Sequence, residues 1–120
     1  MREPFAIEAV LELAPGADPR AIGGAVTLAL CGAFTHPGPC PVAPHHTSVE
    51  PRDGRTRARI VAACEPGERA AVIATVTASL RAGCVTDPDG VNQRWTLRTC
   101  RAVPLLDDER ELADRLASTA

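Results

Sequence analysis

Two of the five cysteines and all three histidines fall within the sixteen residues from Cys31 to His46, and four prolines stand among them. The order is Cys31-x4-His36-x3-Cys40-x4-His45, with His46 next to it. Thiolate and imidazole are zinc ligands, and a structural zinc site takes four of them in a tetrahedron. Soft thiolates also suit Cu(I). The metal-free alternative has Cys31 and Cys40 as core thiols and the histidines as loop residues beside prolines. Pro37 and Pro39 restrict the chain between His36 and Cys40, which lowers the entropy lost when ligands converge. Pro44 leads His45 and His46 into a strand, where adjacent side chains point to opposite faces. Val49 should face the helices, so parity puts Thr47 and His45 on its side and His46 on the other. The expected ligands are therefore Cys31, His36, Cys40 and His45. His46 is a fifth candidate ligand, a group supporting the ligands, or an acid/base.

Other chemistries fit these residues less well. A Cys40 or Cys31 nucleophile activated by His36 needs a thiolate-favouring environment. The arginines lie away from the loop in sequence, and nothing supplies an orienting acid. A Cys31–Cys40 redox pair lacks the C-x-x-C spacing. Cys64, Cys84 and Cys100 are isolated and read as small space-filling residues.

The chain that must position this loop has 120 residues, enough for one domain with one hydrophobic core. Two Phe, one Trp and no Tyr leave that core to small aliphatic side chains, with Phe5, Trp95 and the leucines as anchors. A net charge of -2 gives no electrostatic reason to expect nucleic acid. All thirteen basic residues are arginine, which reads as the codon bias of a GC-rich genome. The N-terminus lacks the apolar run of a signal peptide and no segment reaches transmembrane length, so a cytoplasmic protein without a membrane partner is expected. In a reducing cytosol, clustered cysteines read better as metal ligands than as disulfides.

Phe5 to Leu13 alternates, with Phe5, Ile7, Ala9, Leu11 and Leu13 on one face: a half-buried strand. Asp18-Pro19 starts a helix to about Cys31 that buries Ile22, Val26, Ala29 and Leu30. Gly23-Gly24 within it suits close packing on the sheet. Thr47–Glu50 and Arg57–Cys64 read as strands joined by a turn with the Asp53-Gly54 hairpin signature. Pro66-Gly67 opens a second helix with Val72, Ile73, Val76 and Leu80 inward, and Gly83 ends it. Asn92 to Cys100 is the last strand, and Asp107 or Asp108 caps a short final helix carrying Leu112 and Leu116. The order β-α-β-β-α-β predicts an α+β, ferredoxin-like split β-α-β domain over residues 1–120, with an antiparallel sheet, two helices on one face and a short C-terminal helix. The run Ile22-x3-Val26-Thr27-x2-Leu30 is echoed by Val72-x3-Val76-Thr77-x2-Leu80, as a pseudo-twofold would give.

Charge offers a test of that topology. With the first strand central, Glu8 and Glu12 sit between Arg57 and Arg59 on one side and Arg94 and Arg98 on the other, as favourable cross-strand pairs. RNA-binding versions of the fold stack bases on aromatics at this face, and here there are none. The face reads as solvated ion pairs, or as a homodimer surface with charges setting register. Copper carriers of this fold place a C-x-x-C between the first strand and first helix. Here that segment is Pro15-Gly16-Ala17-Asp18, so their function does not transfer.

Ala25-Val26-Thr27-Leu28-Ala29-Leu30-Cys31-Gly32, His36-Pro37-Gly38-Pro39-Cys40 and Pro44-His45-His46 resemble corresponding runs in small, uncharacterised actinobacterial proteins with a C-G-x3-H-P-G-P-C-x3-P-H-H loop. The resemblance covers about a quarter of the chain and implies that the loop is a unit. Three functions follow from the residues. The first is a zinc-binding domain that acts through a protein partner or supports an enzyme. The second is a small zinc hydrolase or lyase with an open metal position and His46 or Glu50 as acid/base. The third is a metal-free binding or dimerisation module.

Overall fold

The computed structural model describes residues 1–33 and 43–118. His36 and Cys40 lie outside the described residues. Among the described residues, eight elements of regular structure follow the alternation and turn signals of the chain. They are β1 (Glu3–Leu13), α1 (Arg20–Cys31), β2 (His45–Arg52), β3 (Arg55–Cys64), α2 (Arg69–Arg81), β4 (Cys84–Thr86), β5 (Asn92–Val103) and α3 (Arg110–Ala117). Single 3-10 turns, Pro66–Glu68 and Asp107–Glu109, lead into α2 and α3.

The strands form one sheet in the order β2-β3-β1-β5-β4, and every neighbouring pair is antiparallel. The chain is thus an α+β protein, but its sheet has five strands where four were expected. The additional strand, β4, is three residues long and only Val85 in it is buried. Such a segment shows no period-2 alternation to detect. It begins directly after Gly83, whose φ of 74° is open to glycine and strained for other residues. A Cβ there would lie 2.8 Å from the Trp95 carbonyl oxygen. The Trp95 N–H donates to the Gly83 carbonyl at 3.0 Å and so holds the exit of α2 against β5.

β1 is central, flanked by β3 and β5. Its odd-numbered residues Phe5, Ile7, Ala9 and Leu11 are buried in one cluster with Ile22, Val26 and Leu30 of α1 and Val72, Val76 and Leu80 of α2. Ala21 and Ala25 complete the buried stripe of α1, whereas Ala29 is exposed and Ile73 of α2 is only half-buried. Trp95 closes the cluster at the β4 end, where its Nε1–H donates to the Leu80 carbonyl at 2.8 Å. A buried indole N–H without such an acceptor would be costly. The β2–β3 hairpin turns on Asp53 and Gly54, with φ of 51° and 78°, as an Asp-Gly two-residue turn requires.

The opposite face is not left open. α3 packs on β3 and β1 there, and Ala6, Val61, Ala63 and Ala113 are buried outside the main cluster. The molecule is consequently layered on both sides of the sheet, two helices on one face and one on the other. At the centre of this second layer Arg59 is 7% exposed. Its Nη1 donates to Glu8 at 2.7 Å, its Nε and Nη2 donate to the two Glu109 oxygens at 2.7 Å each, and Nη2 also reaches the Pro104 carbonyl at 3.1 Å. A buried guanidinium persists only when its donors are met in this way. Glu109 also accepts the Leu106 N–H at 2.8 Å, so one carboxylate ties the entry of α3 to the sheet.

The other charges follow the sheet order. Glu12 accepts from Arg55 at 3.1 Å and Arg98 at 2.7 Å. Arg57 pairs with Glu50 and lies 3.9 Å from Glu8. Arg94, expected beside Glu12, instead lies 3.0 Å from the Asn92 side-chain amide, which accepts from it with its oxygen turned toward the guanidinium.

Candidate functional site

The two ends of the Cys/His-rich segment are held on neighbouring elements. Cys31 is the last residue of α1, and His45 is the first of β2. α1 lies close over β2, so a Cβ built at Gly23 would meet the Thr47 Cβ at 3.4 Å. The Gly23 position therefore serves helix–sheet contact, as the sequence suggested. Thr27 is one turn further along α1 and Cys31 one turn beyond that, and residues four apart share a helix face.

β2 separates the adjacent histidines. His45 pairs with Ala62, Thr47 with Ile60 and Val49 with Ala58, and these three are half-buried, while His46, Ser48 and Glu50 between them are exposed. His45 thus faces α1, and His46 is on the other face of the strand. The ring of His45 is fixed at both nitrogens. Nδ1 lies 2.9 Å from the Ala43 carbonyl oxygen, and Nε2 lies 3.0 Å from the Thr27 hydroxyl. A carbonyl oxygen only accepts, so in the neutral ring Nδ1 carries the proton and Nε2 accepts from Thr27. A metal-binding imidazole likewise gives its remote N–H to a carbonyl, and here the Nε2 lone pair that would coordinate is taken by the Thr27 hydroxyl.

A polar seam accompanies His45 along the α1–β2 contact. The Thr47 hydroxyl oxygen is buried with no hydrogen-bond partner among the described residues. Thr27, His45 and Thr47 are therefore polar groups in a contact that β-branched aliphatics could have filled. Chemically the seam can hold an imidazole lone pair and, one turn from Thr27, a thiol. Those are two of the four expected ligands. Among the described residues no three His, Cys, Asp or Glu side chains gather as a metal-binding group. His36 and Cys40, the other half of the expected set, are outside those residues. In the sequence Thr27 shows only as part of the helix repeat, because a threonine inside a helix carries no signal of its role until its partner strand is placed.

The remaining cysteines do not join this site. Cys64 is buried at the end of β3, and burial pushes its thiol pKa up. Cys100 Sγ lies 3.5 Å from the Thr77 hydroxyl, and Cys84 is exposed in β4. Glu50, a candidate acid/base, is on the His46 face and pairs with Arg57.

A second polar cluster joins the start of α1 to the turn after β4. Asp18 accepts the Arg20 N–H at 2.9 Å and its side chain at 2.8 Å. The Asp18 N–H donates to Gln93 Oε1 at 2.8 Å, and Gln93 Nε2 donates to Asp87 at 3.0 Å. Asp87 also accepts the N–H groups of Asp89 and Val91. Hydrogen bonds from Arg20 hold the Asp18 carboxyl below its ordinary range, and those from Gln93 and the backbone do the same for Asp87. Every polar atom named here is used in closing the turn and capping α1, so the cluster is structural.

No family model, no curated protein and no solved structure matches this chain. No helix among the described residues is long and apolar enough to cross a membrane.

Proposed function

We propose that this protein binds zinc through Cys31, His36, Cys40 and His45, the metal closing the segment 31–46 onto the α1–β2 edge of a ferredoxin-like domain. The observation that supports it most is the orientation of His45. Its Nδ1–H is committed to the Ala43 carbonyl, and its Nε2 is directed at the α1 face that carries Thr27. Cys31 follows Thr27 by one helical turn on that element. His46 is on the other face of β2, so it is not in the ligand set of this reading. A zinc ion would supply a cross-link between helix end and strand start. The role that fits is recognition of a protein partner or support of an enzyme in the cytoplasm. The strand order supports the ferredoxin-like reading, since β1 lies between β3 and β5 with β2 beyond β3. In that reading β4 is an edge addition.

Cobalt substitution tests the ligand set. A closed site with two thiolates gives tetrahedral d–d bands and thiolate charge-transfer absorption that exogenous anions leave unchanged. A charge-transfer band reduced to about half in Cys31→Ser and lost in the double variant with Cys40→Ser, with tetrahedral intensity lost in His45→Ala, is the expected pattern. A cobalt spectrum equal to the aqueous ion would reject the site. A second reading, a metal-free binding module, has one observation in its favour. The Thr27–His45–Ala43 bonds already satisfy both ring nitrogens.

A further inference from the structure

A groove of about 720 Å³ lies against β5 from Arg94 to Cys100, between the end of α2 at Arg81–Gly83 and the end of β1 at Glu12–Ala14. Beside it the β5 edge is uncovered for much of its length. β4 pairs with β5 only over Asn92–Arg94, and the Trp95 N–H is then taken by the Gly83 carbonyl at 3.0 Å. At Gly83 the chain turns back into α2. From Thr96 to Val103, β5 pairs with β1 on one side and, among the described residues, with no strand on the other. A strand edge of this length offers a row of backbone donors and acceptors in line with β4, which is the template that strand addition uses.

Charge decides which strand fits. β5 carries Arg94, Arg98 and Arg101 and no carboxylate. Two copies joined β5 to β5 would set these arginines against one another, which disfavours a sheet continued through a second copy. Arg81, in the last turn of α2, joins Arg94 and Arg98 as a third guanidinium lining the groove. The acid lining it is Glu12, and that carboxylate is already shared by Arg98 and Arg55. Arg81 and Arg94 have no carboxylate partner among the described residues. The edge thus repels its own kind and leaves positive charge unmet.

We propose that the β5 edge from Thr96 to Val103 docks an acidic, extended segment of a partner protein as a further strand in line with β4. Backbone hydrogen bonds would hold the segment, and Arg81 and Arg94 would select its charge. This surface is distinct from the Cys/His segment and does not depend on zinc.

The test uses the full chain and a synthetic octapeptide alternating valine with glutamate, followed by amide NMR and titration calorimetry at low salt. The expected result is slowed amide exchange and shifted resonances confined to Thr96–Val103 and the end of α2. Affinity should fall about tenfold in Arg94→Glu combined with Arg81→Gln, and with rising salt. These are exposed positions, where substitutions change stability little, and thermal unfolding of the variant confirms that it folds. The valine–lysine octapeptide should not bind. A glutamate peptide methylated at alternate backbone nitrogens should also fail, because it cannot complete the ladder. No binding, binding mapped to another surface, equal binding of the methylated peptide, or β5-mediated self-association in its place would each overturn the proposal.

Discussion

Glu109 joins α3 to the sheet, and replacing it should release that helix. In Glu109→Ala, Arg59 loses the two carboxylate bonds at 2.7 Å, and Leu106 loses the acceptor for its N–H. Arg59 keeps Glu8 and the Pro104 carbonyl, so its charge is not stranded. Removing one partner of a buried ion pair costs about 3–5 kcal/mol. With half of the donors still met, a loss of about 2–4 kcal/mol is expected here. Urea unfolding of the wild type, Glu109→Ala, Arg59→Met and the double variant measures it. The double variant should lose less than the sum of the two singles, with a coupling of about 1–3 kcal/mol. Proteolysis should cut the α3 segment first, because its remaining hold on the sheet is the small contact around Ala113. The same pair sets a pH dependence. Hydrogen bonds from Arg59 hold the Glu109 carboxyl below its ordinary range, so the folded state binds the proton more weakly than the unfolded one. Its stabilisation is then full above the unfolded value of about 4.3 and is lost as pH falls through the lower folded value. Glu109→Gln should flatten that acid limb. Purely additive single and double variants, with an acid limb unchanged in Glu109→Gln, would refute the assignment of Arg59–Glu109 as the link.

Three further outcomes follow from particular contacts. Gly83→Ala should destabilise the fold by about 1–3 kcal/mol in urea, since it combines a positive φ with a Cβ 2.8 Å from the Trp95 carbonyl oxygen. Gln93→Ala removes both contacts that tie the β4–β5 turn to α1, and chemical denaturation should show a loss of about 1–2 kcal/mol. Thr27→Val, close to isosteric, takes away the hydroxyl at His45 Nε2. In metal-free protein its ring nitrogen NMR shifts should move, while Thr27→Ser restores them.

Much of the framework was legible because it rests on local signals that the fold leaves intact. Alternation in β1 identified the buried face, and the Asp53-Gly54 pair identified the hairpin. The charge pattern was informative across long separations, since Glu8 meets Arg59 and Glu12 meets Arg98. What failed was local in another sense. β4 is too short to alternate, and Arg94 lies beside the nearby Asn92 side-chain amide, while Glu12 is met from β5 by Arg98 and from β3 by Arg55. The covering of the second sheet face was hidden for a different reason. α3 reads as a short amphipathic helix wherever it docks, and its position depends on Glu109 meeting an arginine fifty residues away. At the candidate site, counting back from Val49 placed His45 toward α1 and His46 away from it. Thr27 could not be read in the same manner, because its meaning comes only from the strand opposite.

The most direct measurement is the metal content of the full chain purified without a histidine tag. About one zinc per chain is expected, removed by Cys31→Ser, His36→Ala, Cys40→Ser or His45→Ala singly and retained in His46→Ala. A chain that carries no zinc after exposure to it, and unfolds identically with and without a chelator, would contradict the account.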